Sequence, residues 1–219
     1  MNKLFKWLLY FTGNTVIPKE VIQREEKIIL HITDTPYVIN KALDKLIKAI
    51  KPEYLVHTGD LVDDIKLELH PGQEDEYMSK VRKLLGIMQS ESVGQAYVVL
   101  GNHDSEKVMT VQSEIDSALV NEKDKHKGKL QITGKTMLWD IEGVKIEAGH
   151  RFSELSEETA DFKLFGHNII PDSKYENGCC YLNGIEAISV IFLESKNLVR
   201  FKYPIGTNDY RQKKRKLGM

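Results

Sequence analysis

Oxygen and imidazole side chains follow directly after several apolar runs of this 219-residue chain. They stand in the stretches "ITDTP" (32–36), "HTGD" (57–60), "LGNHD" (100–104), "EAGHRF" (147–152) and "LFGHN" (164–168). The side chains concerned are Asp34, Asp60, Asn102, His103, His150 and His167. Aspartate, asparagine and histidine together form a donor mixture that suits Mn²⁺, Fe or Zn²⁺. The pattern therefore predicts a metal-binding site.

Each of these residues also has a purely structural interpretation. Asp34 could cap the helix that follows it, and Asp60 could form a turn. Asn102 and His103 could satisfy the backbone of their own turn, and His167 could be a hydrogen-bonded histidine of the core. A coincidence at every strand end is harder to accept than a coincidence at one of them. The joint pattern favours the metal-binding interpretation.

The segments in front of these residues predict alternating strands and helices. Continuous apolar and β-branched runs at 27–33, 54–58 and 96–100 are typical of strands that are covered on both faces. Amphipathic periodicity at 38–52 and 76–88 predicts two helices between them. This order implies a parallel sheet with right-handed crossovers, and ligands of such sheets bind beyond the carboxyl ends of the strands. Glycine directly before the polar residue at several strand ends would permit a close approach of the backbone.

Short strands with brief connections are predicted in the second half of the chain. They comprise a hairpin at 136–148 that turns near Glu142-Gly143, and strands at 162–165, 179–183, 187–194 and 198–204. These strands are expected to build a second sheet. The predicted fold class is therefore α/β, a two-sheet β-sandwich flanked by helices. The domain is expected to span 27–204, with an N-terminal extension at 1–26 packed on it and a basic C-terminal tail at 205–219.

The composition excludes a general attraction to nucleic acid or anionic lipid, because the formal net charge is -1. The apolar run at 1–11 is too short to span a membrane and is interrupted by Lys6. We expect a short amphipathic helix there, with a weak interfacial anchor as the alternative. The basic run from Arg211 to Lys216 is expected to be solvated and is thin evidence for nucleic-acid binding.

The two cysteines, Cys179 and Cys180, are neighbours in an apolar run. Neighbours in a strand point to opposite faces of the sheet, so this pair is poorly placed for a disulfide. A reducing, cytoplasmic setting is the prediction. No sequence feature indicates an oligomeric state.

The stretches "HTGDLVDD", "VVLGNHD" and "LFGHNIIPD" resemble motifs of the calcineurin-like metallophosphoesterases, and the resemblance covers residues 27–203. That family carries D-x-H, GD, GNHD or GNHE, a His-Gly pair and GHxH, in this order along a two-sheet sandwich. The resemblance implies an αββα fold and a metal-dependent hydrolase that acts on a phosphomonoester or a phosphodiester. It also implies a divalent metal cofactor, for which Mn²⁺ is expected and Fe, Zn²⁺ or Ni²⁺ are alternatives.

The resemblance further implies a role for each matching residue. Asp34 would bind the first metal, Asp60 would bridge both metals, and Asn102 and His167 would bind the second. His103 would lie beside the substrate phosphate, where it would stabilise developing charge or protonate the leaving oxygen.

Three histidines of the family pattern are absent from this chain. Their positions hold Pro36, Ala148 and Ile169, none of which can bind a metal. Removing a mere hydrogen-bond partner of a ligand costs about 10–100-fold in metal affinity, so losing two ligands should weaken the first site more. We therefore expect an incomplete dinuclear site that holds one ion or two.

Neighbouring residues could replace the missing ligands. His150 lies two residues after Ala148, and a bend at Gly149 would turn it inward. Asp64, or its neighbour Asp63, could donate oxygens, as could Thr35. His31 and His57 precede metal-binding aspartates by three residues, which on a strand points them to the opposite face. We expect both of these histidines to be buried and structural.

The replaced ligands also motivate a second hypothesis, a non-catalytic relative that keeps the fold for binding or regulation. Retention of His103 favours the enzyme, because a scaffold has no evident use for that imidazole. Nucleic-acid processing is a weaker hypothesis, since only the run at 211–216 would support it. The expected partner is a phosphoester substrate, with neither nucleic acid nor membrane.

Overall fold

The structure is a computed structural model that describes residues 15–111, 129–134, 136–208 and 210–211. The predicted helix or anchor at 1–11 lies outside the described residues. So do the basic run after Arg211 and most of the loop at 105–128.

Among the described elements, α-helices and strands alternate as far as β3, and strands follow from there on. They are α1 (Lys19–Ile22), β1 (Ile28–Ile32), α2 (Asn40–Ile50), β2 (Tyr54–His57), α3 (Glu74–Met88), β3 (Gln95–Val99), β4 (Lys129–Thr133), β5 (Met137–Ile141), β6 (Val144–Ala148), β7 (Phe162–Phe165), β8 (Lys174–Glu176), β9 (Cys179–Asn183), β10 (Ile188–Phe192) and β11 (Leu198–Phe201). Short 3-10 helices lie at Tyr37–Ile39, Pro71–Gln73 and Phe152–Glu154.

The first sheet has six strands in the order β11-β10-β1-β2-β3-β4. Strands β1, β2 and β3 are parallel, as predicted, with α2 and α3 as the crossovers between them. Strand β4 adds a further parallel partner at the edge, beside β3. Strand β4 is not predicted from the sequence, because "KLQIT" carries only Leu130 and Ile132 as apolar residues, too few to establish an alternating pattern.

Strands β10 and β11 correct the expectation that the whole second half builds the second sheet. β10 pairs with β1 in antiparallel fashion, with Ile29 opposite Ile191, and β11 pairs with β10. All five residues of β10 are buried. The apolar run shows that this strand is covered on both faces but not which sheet receives it, because pairing is decided by contacts far apart in the sequence.

The second sheet has five strands in the order β5-β6-β7-β9-β8. The predicted hairpin is confirmed as β5 and β6, which turn at Glu142 and Gly143 with φ of 52° and 84°. Two successive residues with positive φ are the signature of a type I′ turn, the turn that suits a two-residue hairpin. Strand β8 is not predicted from the sequence, because it is a three-residue edge strand whose side chains are all exposed.

The apolar core has two layers that share the first sheet. Along β1, Ile28, Leu30 and Ile32 pack toward the helices, whereas Ile29 packs toward the second sheet. Helix α2 meets the first layer with its predicted apolar face, which includes the buried Leu43 and Ile47. The arrangement confirms the predicted fold class, a two-sheet sandwich flanked by helices.

The described part of the N-terminal segment lies against the domain. Val21 of α1 is fully buried in the helix-side core. Arg24 donates hydrogen bonds to the carbonyl oxygen of Lys51 and to the carboxylate of Glu53. Among the described residues, none of the helices is long and apolar enough to cross a bilayer.

Candidate metal centre

The loops that follow β1, β2 and β7 turn with unusual backbone geometry. Asp34, Asp60 and His167 have φ values of 47°, 53° and 67°. Positive φ is uncommon for residues other than glycine, and it is maintained only where the surrounding structure enforces it. These turns bring the first residues beyond the strands back over the edge of the sandwich, where their side chains meet.

Glycines beside these residues permit the close packing that the sequence predicts. A Cβ atom on Gly101 would lie 2.3 Å from Oδ1 of Asp60, and one on Gly166 would lie 2.5 Å from Oδ2 of Asp34. No side chain fits at such distances. The backbone therefore approaches the carboxylates themselves, and both glycines are required by space rather than by their own φ.

His150 turns into the centre after Gly149. Its Nδ1 lies 2.7 Å from the carbonyl oxygen of Thr58, which can only accept a hydrogen bond. Nδ1 therefore carries the proton, and Nε2 presents a lone pair. That Nε2 lies 3.1 Å from Oδ1 of Asn102, 3.1 Å from Nδ1 of His167 and 3.5 Å from Oδ1 of Asp60.

The donor chemistry of this group fits a divalent metal ion. Nε2 of His150 and Oδ1 of Asn102 are both acceptors, and two acceptors attract one another only through a cation or a proton between them. Ligand atoms that lie about 2.1 Å from one shared metal ion are separated from each other by roughly 3.0–3.4 Å, close to the distances observed around Nε2 of His150. We call Asp60, Asn102, His150 and His167 the imidazole cluster.

Three carboxylates form a second group that shares Asp60. Asp34, Asp60 and Asp63 are all buried, and each offers an oxygen within 4.8 Å of the other two. Burial, with the charges of Asp34, Asp104 and Asp63 nearby, raises the pKa of Asp60 well above its usual range. Positive charge placed here would offset this repulsion. We call Asp34, Asp60 and Asp63 the carboxylate cluster.

Asp64 and Thr35, two other candidate oxygen donors, face elsewhere. Oδ1 of Asp64 accepts a hydrogen bond of 2.6 Å from the backbone N–H of Tyr37, and Oδ2 lies 3.3 Å from Nζ of Lys80. The hydroxyl of Thr35 donates to the carbonyl oxygen of Leu61. The turn after Asp60 thus brings Asp63 to the centre instead of Asp64. The sequence does not decide between them, because the two aspartates are adjacent.

Asp104, the last residue of "GNHD", is a structural anchor that the sequence analysis leaves unassigned. Its carboxylate accepts hydrogen bonds from the backbone N–H groups of Asp60, Leu61 and Gly101, all at 2.7–2.9 Å. The hydroxyl of Tyr77 donates a fourth bond of 2.6 Å. Asp104 therefore joins the loop after β2 to the loop after β3 and sets the spacing of the clusters.

His103 stands beside the clusters without belonging to either. Its backbone N–H donates to Oδ1 of Asp60 over 3.2 Å. Its imidazole Nδ1 lies 3.6 Å from Oε2 of Glu68, and the same oxygen lies 3.4 Å from Nδ2 of Asn102. The side chain is 11% exposed. His103 is thus largely enclosed but still reachable from the adjoining cavity.

A cavity of about 240 Å³ opens next to both clusters. Its lining includes Asp34, Asp60, Asp63, His103 and His167 from the loops described above. Lys66 and Arg211 add positive charge to the wall. The cavity therefore combines oxygen and imidazole groups that suit a metal ion with cationic groups that favour an anion.

Arg211, the first residue of the basic run and the one that the structure describes, is not solvated as expected. It is 9% exposed, and its guanidinium lies 4.2 Å from the ring centroid of Tyr203. Its Nε donates to the carbonyl oxygen of Asp34 over 2.9 Å, and Nη1 donates to the carbonyl oxygen of Ile185 over 3.1 Å. Arg211 thus holds the backbone that carries Asp34.

His31 and His57 are buried, as predicted, with no exposed surface. Nε2 of His31 lies 3.0 Å from the hydroxyl of Thr58, and Nε2 of His57 lies 3.0 Å from the hydroxyl of Thr35. Burial lowers the pKa of both imidazoles to about 3. Both are neutral parts of the core beneath the centre.

Comparisons with known proteins agree with this architecture. A family model described as calcineurin-like phosphoesterase matches residues 28–199. A novel archaeal phosphodiesterase is 15% identical, with a TM-score of 0.51 over 79% of this chain and 98% of its own. None of the curated proteins matches the chain.

Two further solved structures are similar at lower TM-scores. The phosphoesterase Yfce from E. coli is 15% identical, with a TM-score of 0.48 over 80% of this chain and 97% of its own. Vacuolar protein sorting 29 from Cryptosporidium parvum is 14% identical, with a TM-score of 0.38 over 80% of this chain and 95% of its own. At 15% identity, the likeness to the archaeal phosphodiesterase concerns the fold alone.

Proposed function

The chain belongs to the calcineurin-like phosphoesterase family, and we propose that it is a metal-dependent hydrolase of phosphate monoesters or diesters. The observation that carries the proposal is the convergence of the imidazole cluster, in which oxygen and nitrogen atoms of Asp60, Asn102 and His167 lie 3.1–3.5 Å from Nε2 of His150. Lewis-acid polarisation of a phosphoryl group and activation of water are the chemistry that a divalent ion supplies in such a site.

The imidazole cluster is the proposed tight metal position. His150 replaces the imidazole that Ala148 lacks, so this position keeps a carboxylate, an amide and two imidazoles. A mixed nitrogen and oxygen set suits Mn²⁺, with Fe, Zn²⁺ or Ni²⁺ as alternatives. The proton on Nδ1 of His150 is held by the carbonyl oxygen of Thr58, which keeps Nε2 free for the ion.

The carboxylate cluster is the proposed weak metal position. It offers oxygens alone, because Pro36 and Ile169 stand where the family pattern has histidines. Oxygen-only sites favour hard ions such as Mg²⁺ and Mn²⁺ and do not select Zn²⁺. We therefore propose a centre with one tightly held ion and a second ion that exchanges readily.

His103, Lys66 and Arg211 are the proposed partners of the phosphate group. His103 borders the cavity beside Asp60 and would protonate the leaving oxygen or stabilise its developing charge. Lys66 and Arg211 bring positive charge to the same wall. Arg211 already donates hydrogen bonds to the backbone carbonyl oxygens of Asp34 and Ile185. It would therefore act on the phosphate through its charge more than through hydrogen bonds.

A reducing compartment is proposed from the cysteines. Both Cys179 and Cys180 are free thiols, the first buried and the second half-buried. Unpaired cysteines are usual in the cytoplasm, where thiols are kept reduced. This supports a cytoplasmic location.

Hydrolysis of p-nitrophenyl phosphate and bis(p-nitrophenyl) phosphate in Mn²⁺ tests the proposed function, together with the metal content of the same samples. We expect turnover by the wild type, loss of both metal and turnover in Asp60→Asn, and loss of turnover with retained metal in His103→Ala. The matched control is His70→Ala, which removes an exposed imidazole and should change neither property.

The alternative is a binding or regulatory protein that keeps the family fold. The observation that favours it is the loss of imidazoles from the first metal position, at Pro36 and Ile169. A wild-type protein that takes up metal but hydrolyses neither ester would support this alternative. A protein that takes up no metal would refute the proposed centre as well.

A further inference from the structure

Five residues that belong to neither metal cluster line a further part of the cavity, which we call its second end. They are Asn168 and Ile169 from the loop after β7, Ile185 and Glu186 from the turn before β10, and Asn208 near the end of the described chain. A phosphate held at the clusters would point one of its ester oxygens toward this end. Its chemistry therefore bears on the group attached to that oxygen.

Two isoleucines form the apolar part of this wall. Ile185 is 9% exposed and Ile169 is 37% exposed. Ile169 occupies a position where the family pattern places a metal-binding histidine. The substitution removes a ligand from the first metal position and presents a branched aliphatic side chain to the cavity instead.

The polar groups at this end disfavour a second anion. The carboxylate of Glu186 lines the cavity and is held by Nη1 of Arg200 at 2.9 Å and by the backbone N–H of Ser173 at 2.7 Å. Arg211 donates hydrogen bonds to backbone carbonyls and to Oδ1 of Asn208. Glu186 is already paired with Arg200, and Arg211 already donates its hydrogen bonds to the protein. This part of the wall therefore suits a neutral group better than a second anion.

We propose that this end is the leaving-group subsite and that it selects a neutral, partly apolar alcohol, such as a small aromatic one. The proposal rests on the proposed function, because it needs the phosphate at the metal clusters. A cavity of about 240 Å³ is smaller than the pockets of about 300–1,000 Å³ that enclose drug-sized ligands. It suits a phosphate that carries one small ring.

Binding of phosphonates that cannot be hydrolysed tests the subsite independently of turnover. Titrations of the Mn²⁺-loaded wild-type protein would compare methylphosphonate, phenylphosphonate and 4-phosphonobenzoate. We expect phenylphosphonate to bind about tenfold more tightly than methylphosphonate, because small changes in a hydrophobic pocket are worth about tenfold or more. We expect 4-phosphonobenzoate to lose at least about half of that gain in affinity, because its carboxylate would lie near the carboxylate of Glu186 and be repelled by it.

Neighbouring isoleucines provide a matched pair of variants. Ile169→Ser should reduce the preference for phenylphosphonate to about twofold, since it removes apolar wall from a pocket. Ile170→Ser should leave the preference unchanged, because Ile170 is 80% exposed and does not line the cavity. Methylphosphonate should bind both variants as it binds the wild type.

Equal binding of methylphosphonate and phenylphosphonate by the wild type would overturn the subsite, whatever the variants do. Tighter binding of 4-phosphonobenzoate than of phenylphosphonate would also overturn it, since that result indicates an anion-binding end. Failure to bind any phosphonate would overturn the subsite too. A retained preference for phenylphosphonate in a protein that hydrolyses no ester would uphold the subsite and refute only the proposed hydrolysis.

Discussion

Replacing His150 with alanine is expected to weaken metal binding by at least about 100-fold. Nε2 of His150 is the donor atom at the middle of the imidazole cluster, at 3.1 Å from Asn102 Oδ1 and from His167 Nδ1. Removing a group that only hydrogen-bonds to a ligand costs about 10–100-fold in affinity, and removing a ligand should cost more. A 100-fold loss corresponds to about 2.7 kcal/mol.

The assay is a calorimetric titration of metal-free protein with Mn²⁺, combined with elemental analysis after desalting. The wild type should retain its tightly bound ion through desalting, and His150→Ala should lose it. His70→Ala is the control, because His70 is exposed and lies outside the cavity lining. Circular dichroism of the metal-free proteins should confirm that each variant is folded.

Wild-type affinity in folded His150→Ala would refute the reasoning. It would mean that the short distances around Nε2 reflect close packing of a structural histidine, with the ion held elsewhere or not at all. A loss of affinity that His70→Ala shares would refute it as well, since the loss would then not depend on the position of the imidazole.

Three further predictions follow from the contacts of single residues. Burial lowers the pKa of His31 to about 3. Below pH about 6.5, the ordinary pKa of histidine, the unfolded chain binds a proton at His31 that the folded chain excludes. The free energy of unfolding therefore falls as the pH falls. His31→Gln should flatten this fall by about 1.4 kcal/mol per pH unit between roughly pH 6 and 4, and an unchanged slope in urea unfolding would contradict it. Gly101→Ala should destabilise the protein by about 1–3 kcal/mol through its clash with Asp60, whereas Gly86→Ala, with nothing within 4 Å of the new Cβ, should stabilise α3 by about 0.5–1 kcal/mol. Urea unfolding of both glycine variants measures these changes in the free energy of unfolding. Equal changes would show that the backbone shifts and relieves the clash at Gly101. Asp63→Asn should abolish Mn²⁺ binding at the proposed weak site, and Asp64→Asn should preserve it, as measured by electron paramagnetic resonance. The reverse result would exchange the roles of the two aspartates.

The identities of most site residues are readable from the sequence. Glycine followed by aspartate, asparagine or histidine at the end of an apolar run identifies Asp60, Asn102 and His167 before any coordinates are known. The same local patterns predict α2, α3 and the strands from β1 to β3. Such features depend on residues close together along the chain, which is why composition and periodicity reveal them.

The tertiary structure decides which side chains face the site and which partners they meet. Asp63 reaches the centre and Asp64 does not, although both follow Asp60 closely. Arg211 enters the core although its neighbours in sequence are basic. The carbonyl oxygen of Thr58 holds Nδ1 of His150 and so directs Nε2 toward the centre.

The placement of β10 shows the same limit at the level of the fold. Its apolar run predicts a buried strand, and the partner β1 lies more than half the chain away. Local propensity carries no information about such distant pairs, since their free energy comes from burial and hydrogen bonding that exist only in the assembled sheets. Donor types and strand positions are therefore properties of the sequence, whereas their convergence on one centre is a property of the fold.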